Sequence, residues 1–112
     1  MRTTIALLAA FLLAASVRGD FYDGNKLKDG LEHFKKRANE IEALDGMKAV
    51  GYVLGVHDVY RGSLACGPST ATAGQLVDIV LKYLETYPEE RHYNAASLVR
   101  NALMMAFPCS TK

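Results

Sequence analysis

The segment Met47–Tyr60 is apolar on nearly every face: Met47, Ala49, Val50, Tyr52, Val53, Leu54, Val56 and Val59 leave no polar stripe. A surface helix keeps one solvated side, so a helix built this way belongs in the centre of a bundle. Gly51 and Gly55 are four residues apart and stack on one side of that helix, which predicts close approach of a neighbouring helix there. In lipid such a pair favours helix dimerisation. Here the segment is shorter than a membrane span and ends in His57, Asp58 and Arg61, so it reads as the core of a soluble domain. A strand over AVGYVLGV is the alternative, because valine and tyrosine favour pleated sheet.

Periodicity and punctuation define three more helices. The first is expected over Lys26–Ala43, capped by Asn25 after the turn Asp23-Gly24, with Leu27, Leu31, Phe34, Ala38 and Ile41 as a narrow apolar seam. Gly30 lies inside it and weakens its first turns by up to about 1 kcal/mol relative to Ala. Asp45-Gly46 is expected to end that helix and start the next. Gly62–Ala71, GSLACGPSTA, reads as a loop. Thr72 and Gln75 then have capping-box spacing, and the third helix runs to about Tyr87. Its stripe is Leu76, Val80, Tyr83, Leu84 and Tyr87, widened by Val77 and Ile79, and Pro88 stops it. Pro88–His92 fits one helical turn, with Pro at the position where its missing amide costs nothing. The fourth helix, Ala95–Ala106, buries Ala95, Leu98, Val99, Ala102, Leu103 and Ala106 and ends before Pro108. Short connections between amphipathic helices imply an up-and-down bundle. The fold class is all-α: a small four- to five-helix bundle.

Ahead of this domain stands an export signal. Arg2 supplies a positive start, Ile5–Ala15 is an unbroken apolar run about half the ~20 residues of a membrane span, and Val17-Arg18-Gly19 offers a peptidase site. Cleavage is expected after Gly19, with Ser16 as second choice. No Cys follows the apolar run, which excludes a lipoprotein, and a bacterial signal fits best. The chain divides into residues 1–19, signal peptide, and residues 20–112, a single domain. Of 13 Lys and Arg residues, Arg2 and Arg18 leave with the signal, so the 12 Asp and Glu residues then exceed the basic ones by one. A near-neutral surface excludes nucleic acid as a partner, since phosphate binding needs a basic excess. Nothing after the signal binds a membrane. Lys35-Lys36-Arg37 is a solvated face.

Cys66 and Cys109 are the two cysteines. In an exported protein an even count points to a disulfide, and only one connectivity exists. Closing a loop of about 44 residues contributes roughly 3–4 kcal/mol. The competing reading is a catalytic thiol at Cys66 served by His57, which requires an orienting third group and a protected cleft. His33, His57 and His92 are scattered, with no i, i+4 pair and no Cys/His cluster. His57 and Asp58 are adjacent and diverge by about 100° on a helix, which excludes a relay. Glu89-Glu90-Arg91-His92 reads as local ion pairing and capping. No catalytic, metal or cofactor site emerges, so the residues describe a binding or structural module and not an enzyme.

Three motifs in order carry more information than these parts. GYVLGVHD (51–58), TAGQLVDIVLKYLETYPEERH (72–92) and AASLVRNALMMAFPC (95–109) together resemble the Rap/Tai immunity-protein family of bacterial type VI secretion systems, over about Phe21 to Cys109. The opening FYDGNKL is similar too. The resemblance implies a periplasmic helical protein that binds and blocks an injected peptidoglycan amidase. It implies a homodimer that inserts a surface loop into the amidase cleft, with the Cys/His chemistry belonging to the toxin. Many relatives carry two further cysteines, at places near Leu31 and Ala49; Cys66 and Cys109 match the remaining pair.

The partner-binding surface is expected at Gly62, Ser63, Leu64, Ala65, Gly67, Pro68, Ser69 and Thr70. This is the longest non-helical stretch, loops on rigid scaffolds carry recognition, and a bridge at Cys66 reduces the ordering entropy lost on binding. A plain interhelix connection is the alternative. A reading from a different class is a periplasmic helical stress protein or acid-type holdase chaperone with no toxin partner, which shares the size, export, helicity and single bridge.

Overall fold

Asp23, two residues before the expected cap, starts the first helix: its extended backbone directs the carboxylate to accept the Lys26 amide at 2.8 Å. The structure, a computed structural model, describes residues 21–110. The signal peptide and its cleavage site lie outside the described residues. Helix α1 runs Gly24–Lys36, α2 Glu40–Tyr60, α3 Ala73–Thr86 and α4 Ala95–Ala106, with a short 3-10 turn at Pro88–Glu90 between α3 and α4. The all-α expectation holds, and AVGYVLGV is helical, not a strand.

The boundary between the first two helices lies elsewhere than expected. Helix α1 ends at Arg37, whose left-handed backbone (φ 49°) closes the helix with its amide on the His33 carbonyl, and its guanidinium Nε donates to the Phe34 carbonyl at 3.0 Å. Asn39 caps α2 by accepting the Glu42 amide. Helix α2 then continues straight through Asp45-Gly46. That glycine marks a helix contact, not a turn: a Cβ on Gly46 would stand 2.5 Å from the Phe34 Cα and 2.6 Å from its amide nitrogen. Gly30 on α1 is similarly confined: a Cβ there would stand 2.7 Å from the Ala49 methyl and 2.9 Å from the Tyr22 hydroxyl. The α1–α2 hairpin is therefore packed backbone to backbone, and Leu31 and Ala49 are both fully buried within it. Because α1 stops early, Ala38 and Ile41 lie on the surface and outside the expected seam.

The α3–α4 half follows the sequence closely. The capping box is complete, with the Gln75 amide donating to the Thr72 hydroxyl and the Gln75 side chain accepting the Thr72 amide at 2.8 Å. Leu76, Val77, Val80, Leu81, Tyr83 and Leu84 of α3 interlock with Ala95, Leu98, Val99, Ala102 and Leu103 of α4 in one core, which Leu27, Leu31 and Val53 complete from the other side. Ala106 is exposed. The acidic and basic run after α3 does not pair with itself. The Tyr83 hydroxyl donates to Glu90 at 2.7 Å and Arg91 Nε donates to the Leu84 carbonyl at 2.6 Å, so both residues tie the 3-10 turn back onto α3. The N-terminal strap closes the same end: the Gly24 and Asn25 amides donate to the carbonyls of Tyr93 and Arg91, and Ala95 donates to Tyr22.

Helix α2 contacts all three other helices, as a central helix should. Its burial is nevertheless one-sided. Gly46, Ala49 and Val53 face the core, whereas Leu44, Met47, Gly51, Gly55 and Val59 face outward. The close approach expected at Gly51 and Gly55 does not occur within the chain: a Cβ at either would meet nothing within 4 Å.

Candidate functional site

Residues 61–71 leave the C-terminal end of α2 and double back across the end of α4. Tyr60 anchors the first half: its carbonyl accepts the amides of Ser63, Leu64 and Ala65 at 3.1–3.2 Å and the Ser63 hydroxyl at 3.1 Å. Gly62 sits at φ +81°, where a side chain is strained, and its amide donates to the Ala65 carbonyl at 2.8 Å. This tight turn drives the Ala65 methyl into the core, 2 % exposed. Ala65 therefore supports the loop from below and is not available to a partner. Leu64, 42 % exposed, and Ser63 stand at the tip.

The second half is pinned to the end of α4. Cys66 and Cys109 form the expected disulfide, with Cα atoms 4.9 Å apart and a sequence separation of 43. The Cys66 amide donates to the Phe107 carbonyl at 2.8 Å. Gly67 lies flat on the Phe107 ring, where a Cβ would be 2.7 Å from Cγ. Pro68, Ser69 and Thr70 then turn outward, closed by the Ala71 amide on the Pro68 carbonyl. The loop thus presents two exposed knuckles, Ser63-Leu64 and Pro68–Thr70, on a base held by main-chain hydrogen bonds and a covalent bridge. With both cysteines in the bridge, no thiol is left for the Cys66/His57 chemistry considered from the sequence.

Sequence patterning missed the grooves beside this loop. One, of about 390 Å³, is walled by Pro68, Ala71, Gln75, Asp78, Ile79 and Phe107. A second, of about 300 Å³, continues past Ile79 between α3 and α4, over Tyr83, Tyr87, Met105 and Ala106. The aromatic directly after α4, between Ala106 and Pro108, was the available signal: a ring at that place has only the neighbouring loop to pack on. Burial pushes the Tyr83 phenol up to about 12, with its hydrogen bond to Glu90 adding to the shift, so it stays a neutral donor.

The histidines stay apart. His33 on α1 is held by Asp45 of α2, Nδ1 to Oδ2 2.7 Å, with Glu42 Oε1 3.8 Å from Nε2. The bond to Asp45 chiefly raises its pKa, so it serves as a clasp across the hairpin. His57 is half-buried, 3.4 Å from its neighbour Asp58. Among the described residues no cluster of three or more His, Cys, Asp or Glu could hold a metal ion, and no helix is long and apolar enough to cross a membrane.

A loop with two exposed knuckles on a disulfide-braced helical base, flanked by apolar grooves, defines a small helical binding module. A family model described as Rap1a immunity proteins matches residues 23–109. The chain belongs to this family of immunity proteins. No curated protein matches it.

Proposed function

We propose that this chain is a periplasmic immunity protein that binds a type VI secreted peptidoglycan amidase and occludes its active-site cleft with residues 62–70. Residues 1–19 direct export, and the protein acts by binding, without catalysis or cofactor, as a homodimer. Family membership supports a toxin partner. A structural disulfide suits an oxidising compartment such as the periplasm.

The observation that carries the reading is the construction of the loop. Its exposed residues Ser63, Leu64, Pro68, Ser69 and Thr70 are small and uncharged, so they enter a narrow cleft without desolvating a charge. Its base is fixed at Tyr60, at the Cys66–Cys109 bridge and at Phe107, so little entropy is lost on binding. Replacing Ser63 and Leu64 by glutamate should weaken toxin binding at least tenfold, about 1.4 kcal/mol, with the melting temperature nearly unchanged. Affinity left intact by those changes, but abolished by substitutions on the exposed face of α1, would put the contact surface elsewhere.

A further inference from the structure

The Cys66–Cys109 bridge braces the loop, and it also stands open to solvent. Cys66 is exposed and Cys109 half-buried, and Cys66 lies between the two knuckles, Ser63-Leu64 and Pro68–Thr70. Sealed bridges resist reduction, whereas exposed ones exchange with thiolates and are the labile or regulatory kind. Nor is the bridge the loop's only tether. The Cys66 amide donates to the Phe107 carbonyl at 2.8 Å, Gly67 lies on the Phe107 ring, and the Tyr60 carbonyl holds the amides of residues 63–65. With the sulfur–sulfur bond broken, these contacts keep Cys66 beside the end of α4 and the two sulfurs within reach of each other.

The two sulfurs are not equivalent. Cys109 Sγ lies 3.6 Å from the Ser63 carbonyl oxygen, a distance at which a thiol donates. In the closed bridge that sulfur has no hydrogen to give; released as a thiol, it finds its acceptor already in place. Cys66 is the more exposed of the pair and so the one open to attack.

We propose that Cys66 is an S-thiolation site: in the folded protein a low-molecular-weight thiolate attacks its sulfur and forms a mixed disulfide. Cys109 leaves with the electron pair of the old bond and takes a proton from solvent. One sulfur–sulfur bond forms and one breaks, so no external oxidant or reductant is consumed. The reverse step is attack by the Cys109 thiolate on Cys66, which restores the bridge and expels the small thiol. The position favours a small molecule, because a protein thiol reaches a sulfur between two knuckles only by seating on the whole loop. The consequence rests on the proposed function: with residues 62–70 as the toxin contact, the adduct stands in the middle of that contact and masks it. The exchange itself is independent of that reading.

The test uses the processed wild-type protein and reduced glutathione, with no hydrolase present. The reaction is stopped at successive times by excess alkylating agent, and the products are mapped by non-reducing peptide mass analysis. Glutathione should be found on Cys66 and the alkyl group on Cys109, about tenfold or more over the reverse arrangement. The initial rate of opening should rise about tenfold per pH unit below the glutathione pKa, as the thiolate fraction does. Urea below the unfolding transition should change that rate by no more than about twofold, because the folded state is the one that reacts. A rate that climbs with urea in parallel with the unfolded fraction would show that only unfolded chains exchange, and would overturn the proposal. Glutathione found mainly on Cys109 would overturn the choice of sulfur, and a bridge inert to glutathione at every pH would overturn the exchange. Toxin affinity is a separate readout: an adduct that binds the hydrolase as tightly as the bridged protein would overturn the masking while the S-thiolation site stands.

Discussion

Gly46→Ala should destabilise this protein although alanine is the better helix former. In an exposed helix interior the exchange gains about 1 kcal/mol. At Gly46 the new methyl would stand 2.5 Å from the Phe34 Cα, 2.6 Å from its nitrogen and 2.8 Å from its Cβ. Two of those atoms are backbone, so relief requires α1 to move away from α2, and overpacking of that kind costs about 1–3 kcal/mol or more. Because the move would also loosen Gly30 from Ala49, the upper part of that range applies, and the net loss is about 1–2 kcal/mol. For a domain of this size the melting temperature should fall by roughly 5–15 °C. Gly55→Ala on the same helix meets nothing within 4 Å and should raise stability by up to about 1 kcal/mol. Thermal melts followed by circular dichroism in dilute solution compare the two directly. Equal stabilisation by both changes would refute the reasoning, because it would mean that α1 does not lie against α2 at Phe34.

Replacing both cysteines by serine should remove roughly 3–4 kcal/mol of stability, seen as a lower urea midpoint; an unchanged midpoint would show the bridge to be unstrained decoration. The His33–Asp45 clasp gives a pH dependence of definite sign. Its imidazole pKa is raised in the folded chain, so its contribution is fully present below the unfolded value of about 6.5 and is lost as pH rises through the folded value. Stability relative to His33→Gln should therefore decline as pH rises above about 6.5. Asp45→Asn should lower the His33 titration midpoint in NMR, and an unmoved midpoint would remove Asp45 as the cause.

Much of the fold was legible because α3 and α4 are amphipathic with clean punctuation. Thr72, Gln75, Pro88 and Pro108 act locally, and local signals survive in any tertiary setting. The α1–α2 junction was misplaced because Asp45-Gly46 has the composition of a turn. A glycine needed for its missing side chain is indistinguishable in sequence from one needed for its backbone. The true break at Arg37 carries no glycine; it depends on one arginine adopting a left-handed conformation. The close approach expected at Gly51 and Gly55 is absent, because helical spacing puts both glycines on the side of the helix that faces away from the core, which the all-round apolar pattern of that segment does not reveal. At the loop, the bridge and the exposed tip follow from the sequence, whereas the inward turn of Ala65 and the Phe107 wall arise from three-dimensional packing with no local periodicity.

The central claim is that this protein neutralises a secreted cell-wall hydrolase by direct binding. The measurement is titration of the purified protein, by calorimetry and by peptidoglycan cleavage, against a candidate Cys/His cell-wall hydrolase, sought first among the genes adjoining its own. A nanomolar dissociation constant and stoichiometric loss of cleavage are expected, with protection of cells that express the hydrolase in the periplasm. Full hydrolase activity in the presence of excess protein, with no heat of binding, would contradict it.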